Sequence, residues 1–153
     1  IKYRAWHKEK KIMFQISEID LRKKRIKGRA NNEVISSRFD EVDIMMGANI
    51  EDSNGEEVYE GDILMAVADD EMKSILGYLG RLEHVYFEVK YDDHQLYCYN
   101  RWKKCWLSLE DVFDCRTVKV LGNKYSYATF WDENYKLLRQ IYIDDNENVV
   151  FVD

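Results

Sequence analysis

The sequence has no proline among its 153 residues, although an average protein of this length holds about seven. Its turns must therefore use Gly, Asn and Asp, the residues that enter turn conformations readily. No Pro-rich linker separates domains, and no apolar run approaches the ~18 residues of a membrane-spanning helix. The chain also opens without the apolar segment of a signal peptide. We expect no membrane partner.

Cysteine is scarce as well. Cys98, Cys105 and Cys115 are the three in the chain, and this odd number forms neither a disulfide framework nor a CxxC metal or redox pair. Reduced thiols suit a reducing compartment, so we expect a cytoplasmic protein in a host cell. Cys98 lies in an alternating aromatic run, which predicts a small buried hydrophobe.

Aromatic residues are abundant, at 14% of the chain, beside 46% hydrophobic and 34% charged residues. Disordered proteins are poor in aromatics, so disorder over the whole length is excluded. A mass of 18.4 kDa corresponds to one domain, or to one domain with an appendage, and it permits a sizeable core.

The net charge of −6 is unevenly distributed. Residues 1–30 hold 11 Lys and Arg against 3 acids, a net of +8, and the rest hold 12 against 26, a net of −14. One interpretation is a basic arm that touches an anionic partner or the acidic face of a neighbouring subunit. The other, which we favour, is a solvated hairpin edge whose lysines protect a sheet from aggregation.

Short β-branched and aromatic segments predict a mainly β fold, either a barrel or a sandwich. Asn54-Gly55 is the strongest turn signal and predicts a type I′ hairpin turn. Residues 22–33 lack apolar periodicity and predict a mobile loop. Ser108 and Asp111 predict a short helical turn through Phe113. The predicted strands are Ile1–Trp6, Ile12–Ile19, Val34–Phe39, Ile63–Ala68, Leu82–Tyr91, Gln95–Tyr99, Cys105–Leu109 and, as a central strand, Thr117–Leu121.

The pattern changes after Gly122. Apolar spacing over Tyr127–Leu138 is compatible with an amphipathic helix. Ile141–Ile143 and Val149–Val152 then predict a terminal hairpin.

No catalytic or phosphate-binding motif occurs in the chain. His84 and His94 could meet, together with Asp92, if their segments pair across a hairpin, but that spacing matches no known metal site. We favour turn and surface histidines, and we predict no catalytic residue, no metal and no cofactor.

Aromatic and basic residues between positions 97 and 106 suggest a second function. Small β-barrels bind single-stranded nucleic acid by stacking bases on aromatic rings above a basic groove. We favour the alternative in which Tyr97, Tyr99 and Trp106 pack within the fold, because the acidic remainder of the chain repels phosphate. The candidate nucleic-acid contacts are Arg22, Lys23, Lys24, Arg25, Lys27, Arg29, Tyr99 and Trp102.

Residues 49–64 read Asn-Ile-Glu-Asp-Ser-Asn-Gly-Glu-Glu-Val-Tyr-Glu-Gly-Asp-Ile-Leu. This segment resembles the hallmark of the YopX family, small proteins of phages and prophages of Gram-positive bacteria, which tend to carry a similar N-G-K-E-I-Y-E-G-D-I run. The opening Ile1–Trp6 and the later Gly122-Asn123-Lys124-Tyr125 are also similar to that family. Asn49 replaces the family's glycine, but Asn also enters the left-handed region readily.

The resemblance implies an SH3-type small barrel. Its implied segments are an N-terminal β hairpin segment with a basic loop (1–49), the barrel (50–123) and a short helical and hairpin C-terminal extension (124–153). The hallmark is then a folding motif, formed by Asn54, Gly55, Tyr59, Gly61, Asp62, Gly122 and Asn123.

The resemblance implies no enzymatic activity. Our leading hypothesis is a non-catalytic phage or prophage accessory protein of unknown biochemical role, which acts by protein–protein contact and forms a homo-oligomer. A host or phage protein is a further candidate partner. The alternative is a nucleic-acid-binding small β-barrel with a basic arm and exposed aromatics.

Overall fold

The structure is a computed structural model that describes residues 2–68, 84–101, 103–115 and 117–125, and the backbone of residues 140–143 and 149–152. It is 65% strand, which confirms the predicted mainly β class. No helix in these ranges has the length and apolar character that crossing a bilayer requires.

The chain divides into two compact units, residues 1–49 and 50–153. The separation of residues 50–123 from 124–153 stays a prediction.

The first unit is an antiparallel sheet with the strand order β4-β3-β2-β1-β5. Its core consists of Ala5, Phe14, Ile26, Ile35 and Val42, all buried. A 3₁₀ turn (Phe39–Glu41) joins β4 to β5. The strands are β1 (Tyr3–His7), β2 (Ile12–Asp20), β3 (Arg25–Ala30), β4 (Glu33–Arg38) and β5 (Val42–Glu51), and β5 ends in the second unit.

The predicted β1–β2 hairpin is confirmed by the pairing of Ala5 with Phe14. The prediction of a mobile loop over residues 22–33 is wrong, because β3 and β4 form a regular hairpin there. Asn31 and Asn32 have φ angles of 50° and 66°, as a two-residue type I′ turn requires.

Gly28 explains why this hairpin shows so little hydrophobic pattern. A Cβ at Gly28 would lie 1.9 Å from the Gln15 carbonyl oxygen and 2.6 Å from the Phe14 ring. The strand therefore needs glycine at a core-facing position, so its inward residues are not all large and apolar. The alternation that marks a strand is hidden.

The second unit contains an antiparallel sheet with the order β10-β9-β8-β7-β11. In the described residues β10 and β11 are its two ends, and no closed barrel is found. A short strand, β6, neighbours β5. The elements are β6 (Glu57–Tyr59), β7 (Asp62–Val67), β8 (His84–Asp92), β9 (Gln95–Asn100), β10 (Cys105–Ser108), α1 (Leu109–Phe113) and β11 (Val118–Asn123).

Several local predictions in this unit are confirmed. The segments predicted as strands at Leu82–Tyr91 and Gln95–Tyr99 pair as β8 and β9 around the turn Asp93-His94. Ser108 Oγ caps α1 by accepting from the Asp111 N–H at 3.1 Å. β12 (Gln140–Ile143) and β13 (Val149–Val152) form the predicted terminal hairpin. The helix predicted over residues 127–138 lies outside the described residues.

The prediction of a central strand at residues 117–121 is wrong, because β11 is at the end of the sheet order. Val118 and Lys119 are nevertheless buried. Their β-branched and apolar surroundings reflect burial, which comes partly from the turn at residues 52–55. Among the described residues β11 has one neighbouring strand, β7.

Candidate functional site

The turn at residues 52–55 lies where predicted, but its type differs. The Gly55 N–H donates to the Asp52 carbonyl at 3.0 Å, and the Asp52 N–H donates to the Glu56 carbonyl at 2.8 Å. Gly55 has φ 81°, whereas Asn54 has no positive φ. This is a three-residue loop with a glycine bulge, not the two-residue type I′ turn.

The buried Asp52 carboxylate holds this loop together and also attaches it to β11. Its Oδ1 accepts from the N–H groups of Asn54 (2.8 Å) and Glu56 (2.9 Å). Its Oδ2 accepts from the N–H of Val120 at 2.9 Å. One carboxylate therefore satisfies main-chain donors from two parts of the chain that are distant in sequence.

Ser53 and Asn54 complete the attachment. Ser53 donates its N–H to the Val118 carbonyl (2.9 Å), and Ser53 Oγ accepts from the Val118 N–H (3.0 Å). Lys119, which is fully buried, donates from Nζ to Asn54 Oδ1. We call the contacts of Asp52, Ser53 and Asn54 with β11 the turn clamp.

The turn from β6 to β7 uses a second buried carboxylate. Asp62 is 1% exposed, and its Oδ2 accepts from the Tyr59 N–H at 2.8 Å. Gly61 has φ 87°, and its N–H donates to the Val89 carbonyl at 2.7 Å. Tyr59 is buried, and its hydroxyl donates to Glu57 Oε2 at 3.1 Å.

Gly122 and Asn123 lie beside this turn. Asn123 pairs with Asp62 in the β7–β11 ladder, after a register shift between Val120 and Gly122. Asn123 Oδ1 accepts from the Tyr125 N–H at 2.9 Å. The carboxylate and amide oxygens of the motif thus bond mainly to main-chain N–H groups, which supports the predicted folding motif, although its role stays a prediction.

The histidines do not converge. His84 is the first residue of β8, and His94 lies in the turn that follows the last residue of β8. A strand rises about 3.3 Å per residue, so the length of β8 separates the two histidines by roughly 25 Å. His7 is buried, and its Nδ1 accepts from the Lys10 N–H at 3.1 Å. Among the residues that the structure describes, no group of three or more His, Cys, Asp or Glu could hold a metal ion. β8 and β9 do pair, but His84 lies at the opposite end of β8 from Asp92 and His94, so the pairing does not bring the three together.

The predicted basic contacts lie together in the first unit. Arg22, Lys23 and Lys24 form the β2–β3 turn, in which Asp20 Oδ1 accepts from the N–H groups of Arg22 (3.0 Å) and Lys23 (2.9 Å). The exposed side chains of β3 and its neighbour β4 form what we call the basic face: Arg25, Lys27, Arg29 and Arg38.

Acids partly balance this face. Across the β2–β3 ladder, Asp20 lies opposite Arg25 and Glu18 lies opposite Lys27. Arg38 Nε also lies 3.1 Å from Asp40 Oδ1. The face is exposed and charged, as either a solvated edge or an anion-binding surface requires.

Tyr99, the other predicted nucleic-acid contact that the structure describes, lies in the second unit. Its ring centroid is 4.8 Å from that of Trp106, which is 47% exposed. Tyr97 contacts Trp106 edge-on at 6.2 Å, and Lys90 Nζ lies 4.9 Å above the Tyr99 ring. These rings pack on each other, but on an exposed side of the sheet, whereas the prediction placed them within the fold. Trp102 lies outside the described residues.

Neither Cys98 nor Cys105 has an activated thiol. Cys98 is fully buried, and burial raises the pKa of its thiol to about 12. Burial also raises the pKa of Cys105, which Lys103 partly offsets. A raised pKa disfavours the reactive thiolate.

Sequence reasoning missed two features of this site. One is the buried Lys119. A lysine within a β-branched, apolar run indicates a specific buried partner, and this signal was present in the sequence. The other is the exposed edge of β4, which was hidden because the segment before it was interpreted as a loop.

The comparisons with known proteins agree with the motif. The YopX protein family model matches residues 2–129. The chain is similar to the crystal structure of protein EF1440 from Enterococcus faecalis, with 18% sequence identity and a TM-score of 0.54 over 88% of this chain and 97% of that one. At this identity the similarity shows the fold alone. A search of curated proteins gives no match. Because the family model spans most of the chain, including the turn clamp, this protein belongs to the YopX family.

Proposed function

We propose that this protein is a non-catalytic accessory protein of a phage or prophage that acts by protein–protein contact and self-assembles. The observation that carries the proposal is the charge of the two compact units. Residues 1–49 hold 12 Lys and Arg against 7 acids, and residues 50–153 hold 11 against 22, so the net charges are +5 and −11.

Opposite charges on two parts of one chain favour contact between copies. The basic unit of one copy attracts the acidic unit of the next, over a range of about 10 Å at moderate salt. Such a contact is heterologous, so it closes into a ring or continues as a filament.

The chemistry of the buried polar groups supports a non-catalytic role. The carboxylates of Asp52 and Asp62 accept from main-chain N–H groups that fix turns. Catalytic carboxylates instead need to face a substrate. The phage origin, the host cytoplasm as location and an SH3-type barrel in the second unit rest on the family resemblance and remain part of this proposal.

Light scattering at low and high salt tests self-assembly. We expect an oligomer at low salt whose mass falls as salt screens the contact. The double variant Lys27→Glu/Arg29→Glu lowers the charge of the first unit from +5 and should weaken the oligomer. The charge-preserving control Lys27→Arg/Arg29→Lys should not. A monomer at every salt and protein concentration would refute the proposal.

A second candidate function, nucleic-acid binding, is favoured by the basic face. Every second residue of β3 is basic and exposed on the same face of the sheet: Arg25, Lys27 and Arg29. Neighbouring members of this row lie about 6.6 Å apart along the strand. A regular row of this kind can follow a phosphate backbone without reading bases.

A gel shift with single- and double-stranded DNA and RNA at low salt distinguishes this candidate. Lys27→Glu/Arg29→Glu should abolish a shift, whereas Lys10→Glu/Lys11→Glu, an equal charge change in the β1–β2 turn, should leave most of it. The absence of binding at low salt removes this candidate, because counterion release is most favourable there.

A further inference from the structure

β4 is the last strand of its sheet in the described residues, so one edge of it has no neighbouring strand there. It contains six residues, Glu33–Arg38, and no proline, lysine or bulge, which are common protections of sheet edges. Val34 is 64% exposed, so one face of this strand reaches solvent.

The hairpin turn determines which main-chain groups face outward. Ala30 and Glu33 flank the two-residue turn, so they form a hydrogen-bonded pair, and such pairs alternate along the ladder. The N–H groups of odd-numbered residues therefore point to β3. The Phe39 N–H, which donates to the Lys24 carbonyl at 2.9 Å, follows this alternation.

The residues whose main-chain N–H and C=O groups point away from β3 are Val34, Ser36 and Arg38. The Arg38 N–H is already satisfied, because it donates to Glu41 Oε1 at 2.8 Å. In the described residues, the N–H and C=O groups of Val34 and Ser36 have no main-chain partner on this side. They form a short, regular template for one more strand.

We propose that this edge pairs with the β4 strand of a second copy, antiparallel and around a two-fold axis. The pairing places Val34 opposite Ser36 of the second copy and Ser36 opposite its Val34, and each pair exchanges both main-chain hydrogen bonds. Ile35 then faces its own counterpart on the axis. This register uses the outward N–H and C=O groups of both Val34 and Ser36.

The charges at the ends of the strand favour the antiparallel direction. β4 begins with Glu33 and ends with Arg38. In the proposed register Glu33 lies opposite Ser37 of the second copy, so no like charges of the two β4 strands face each other. A parallel pairing would instead place like charges side by side, which is destabilising.

This inference rests on the proposed self-assembly and names one surface for it. It differs from the charge-driven contact between units in one measurable respect. A contact made by main-chain hydrogen bonds persists in salt that screens exposed charges.

Ser36→Pro tests the edge without disturbing the hairpin. Proline removes only the outward N–H of Ser36, and proline is tolerated on an edge strand in this position. Loss of the two symmetric hydrogen bonds should weaken the dimer by roughly 10- to 100-fold. Ser36→Ala keeps the N–H and should dimerise like the parent. Light scattering across a dilution series at high salt measures both, and circular dichroism checks that each variant is folded.

A cysteine experiment tests the register. Val34→Cys and Ser36→Cys should form a disulfide under oxidation only when the two variants are mixed, because residues in a hydrogen-bonded pair lie about 5.5 Å apart. Either variant alone places its thiols on a diagonal of about 7–8 Å, which is too far. The parent chain, treated in the same way, controls for Cys105.

A dimer that Ser36→Pro weakens, together with a disulfide in the mixture only, supports the inference. A salt-resistant oligomer that Ser36→Pro leaves intact, without a mixed disulfide, refutes the β4 interface but leaves self-assembly standing. A monomer under all conditions refutes both.

Discussion

Replacing Asp52 by Asn should destabilise the second unit more than any other single-atom change in the turn clamp. The carboxylate accepts three main-chain hydrogen bonds, from Asn54, Glu56 and Val120. An amide keeps one oxygen for the two donors in the loop, but it turns an NH₂ group towards the N–H of Val120. The two donors then oppose each other at a site that is 7% exposed.

The magnitude follows from these contacts. A hydrogen bond to a charged group contributes about 1.5–3 kcal/mol, and a buried donor without a partner costs about 1–3 kcal/mol. Asp52→Asn should therefore lower the free energy of unfolding by roughly 2–3 kcal/mol. Asp52→Ala, which loses all three bonds, should cost roughly 4 kcal/mol or more.

Urea denaturation followed by circular dichroism measures the loss. Hydrogen exchange adds a local readout, because the Val120 amide should lose protection in both variants while amides in the first unit keep theirs. Asp93→Asn is the matched control, since Asp93 lies in an exposed turn with φ 44°, which Asn also adopts readily. If Asp52→Asn and Asp93→Asn differ by less than about 0.5 kcal/mol, the reasoning about the clamp is wrong.

Two further predictions concern the packing and ionisation of buried groups. Gly28→Ala should cost roughly 2–3 kcal/mol in thermal or urea unfolding, because its Cβ would overlap main chain at 1.9 Å; an unchanged midpoint would contradict the close β2–β3 contact. The folded pKa of Cys98, about 12 against an ordinary value near 9.0, means that the unfolded thiol loses its proton first. Stability should therefore fall as pH rises above about 9, and Cys98→Ala should show a shallower decline; identical slopes would contradict the burial.

The position of a turn could be predicted from the sequence, but its long-range hydrogen bonds could not. Asn54-Gly55 marked a turn because few other residue pairs tolerate the required dihedral angles. The turn type depends on Asp52, whose carboxylate also bonds to Val120, 68 positions away in sequence. A contact of that range leaves no local periodicity, so the type I′ assignment could not be corrected without coordinates.

Strand neighbours were equally hard to predict. The apolar content of residues 117–121 indicated burial, which is correct for Val118, but burial of a strand's faces does not reveal what lies along its edges. β3 was missed for a different reason. Its inward position at Gly28 admits no side chain, so the alternation of large apolar residues that identifies a strand is interrupted.

The β4 pairing and the basic face are physically linked, which gives a last prediction. Joining two copies at β4 makes their sheets continuous. The exposed row of Arg25, Lys27 and Arg29 in each copy then lies on the same face of the joined sheet. A nucleic acid crossing this surface would meet roughly twice as many cations, and each phosphate contact steepens the salt dependence by about 0.9 on a log–log plot with duplex DNA. Ser36→Pro, although it removes no charge, should therefore reduce the salt slope of DNA binding to about half. A slope that stays unchanged while the dimer is lost would show that the two copies bind DNA independently, and that the basic face works within a single chain.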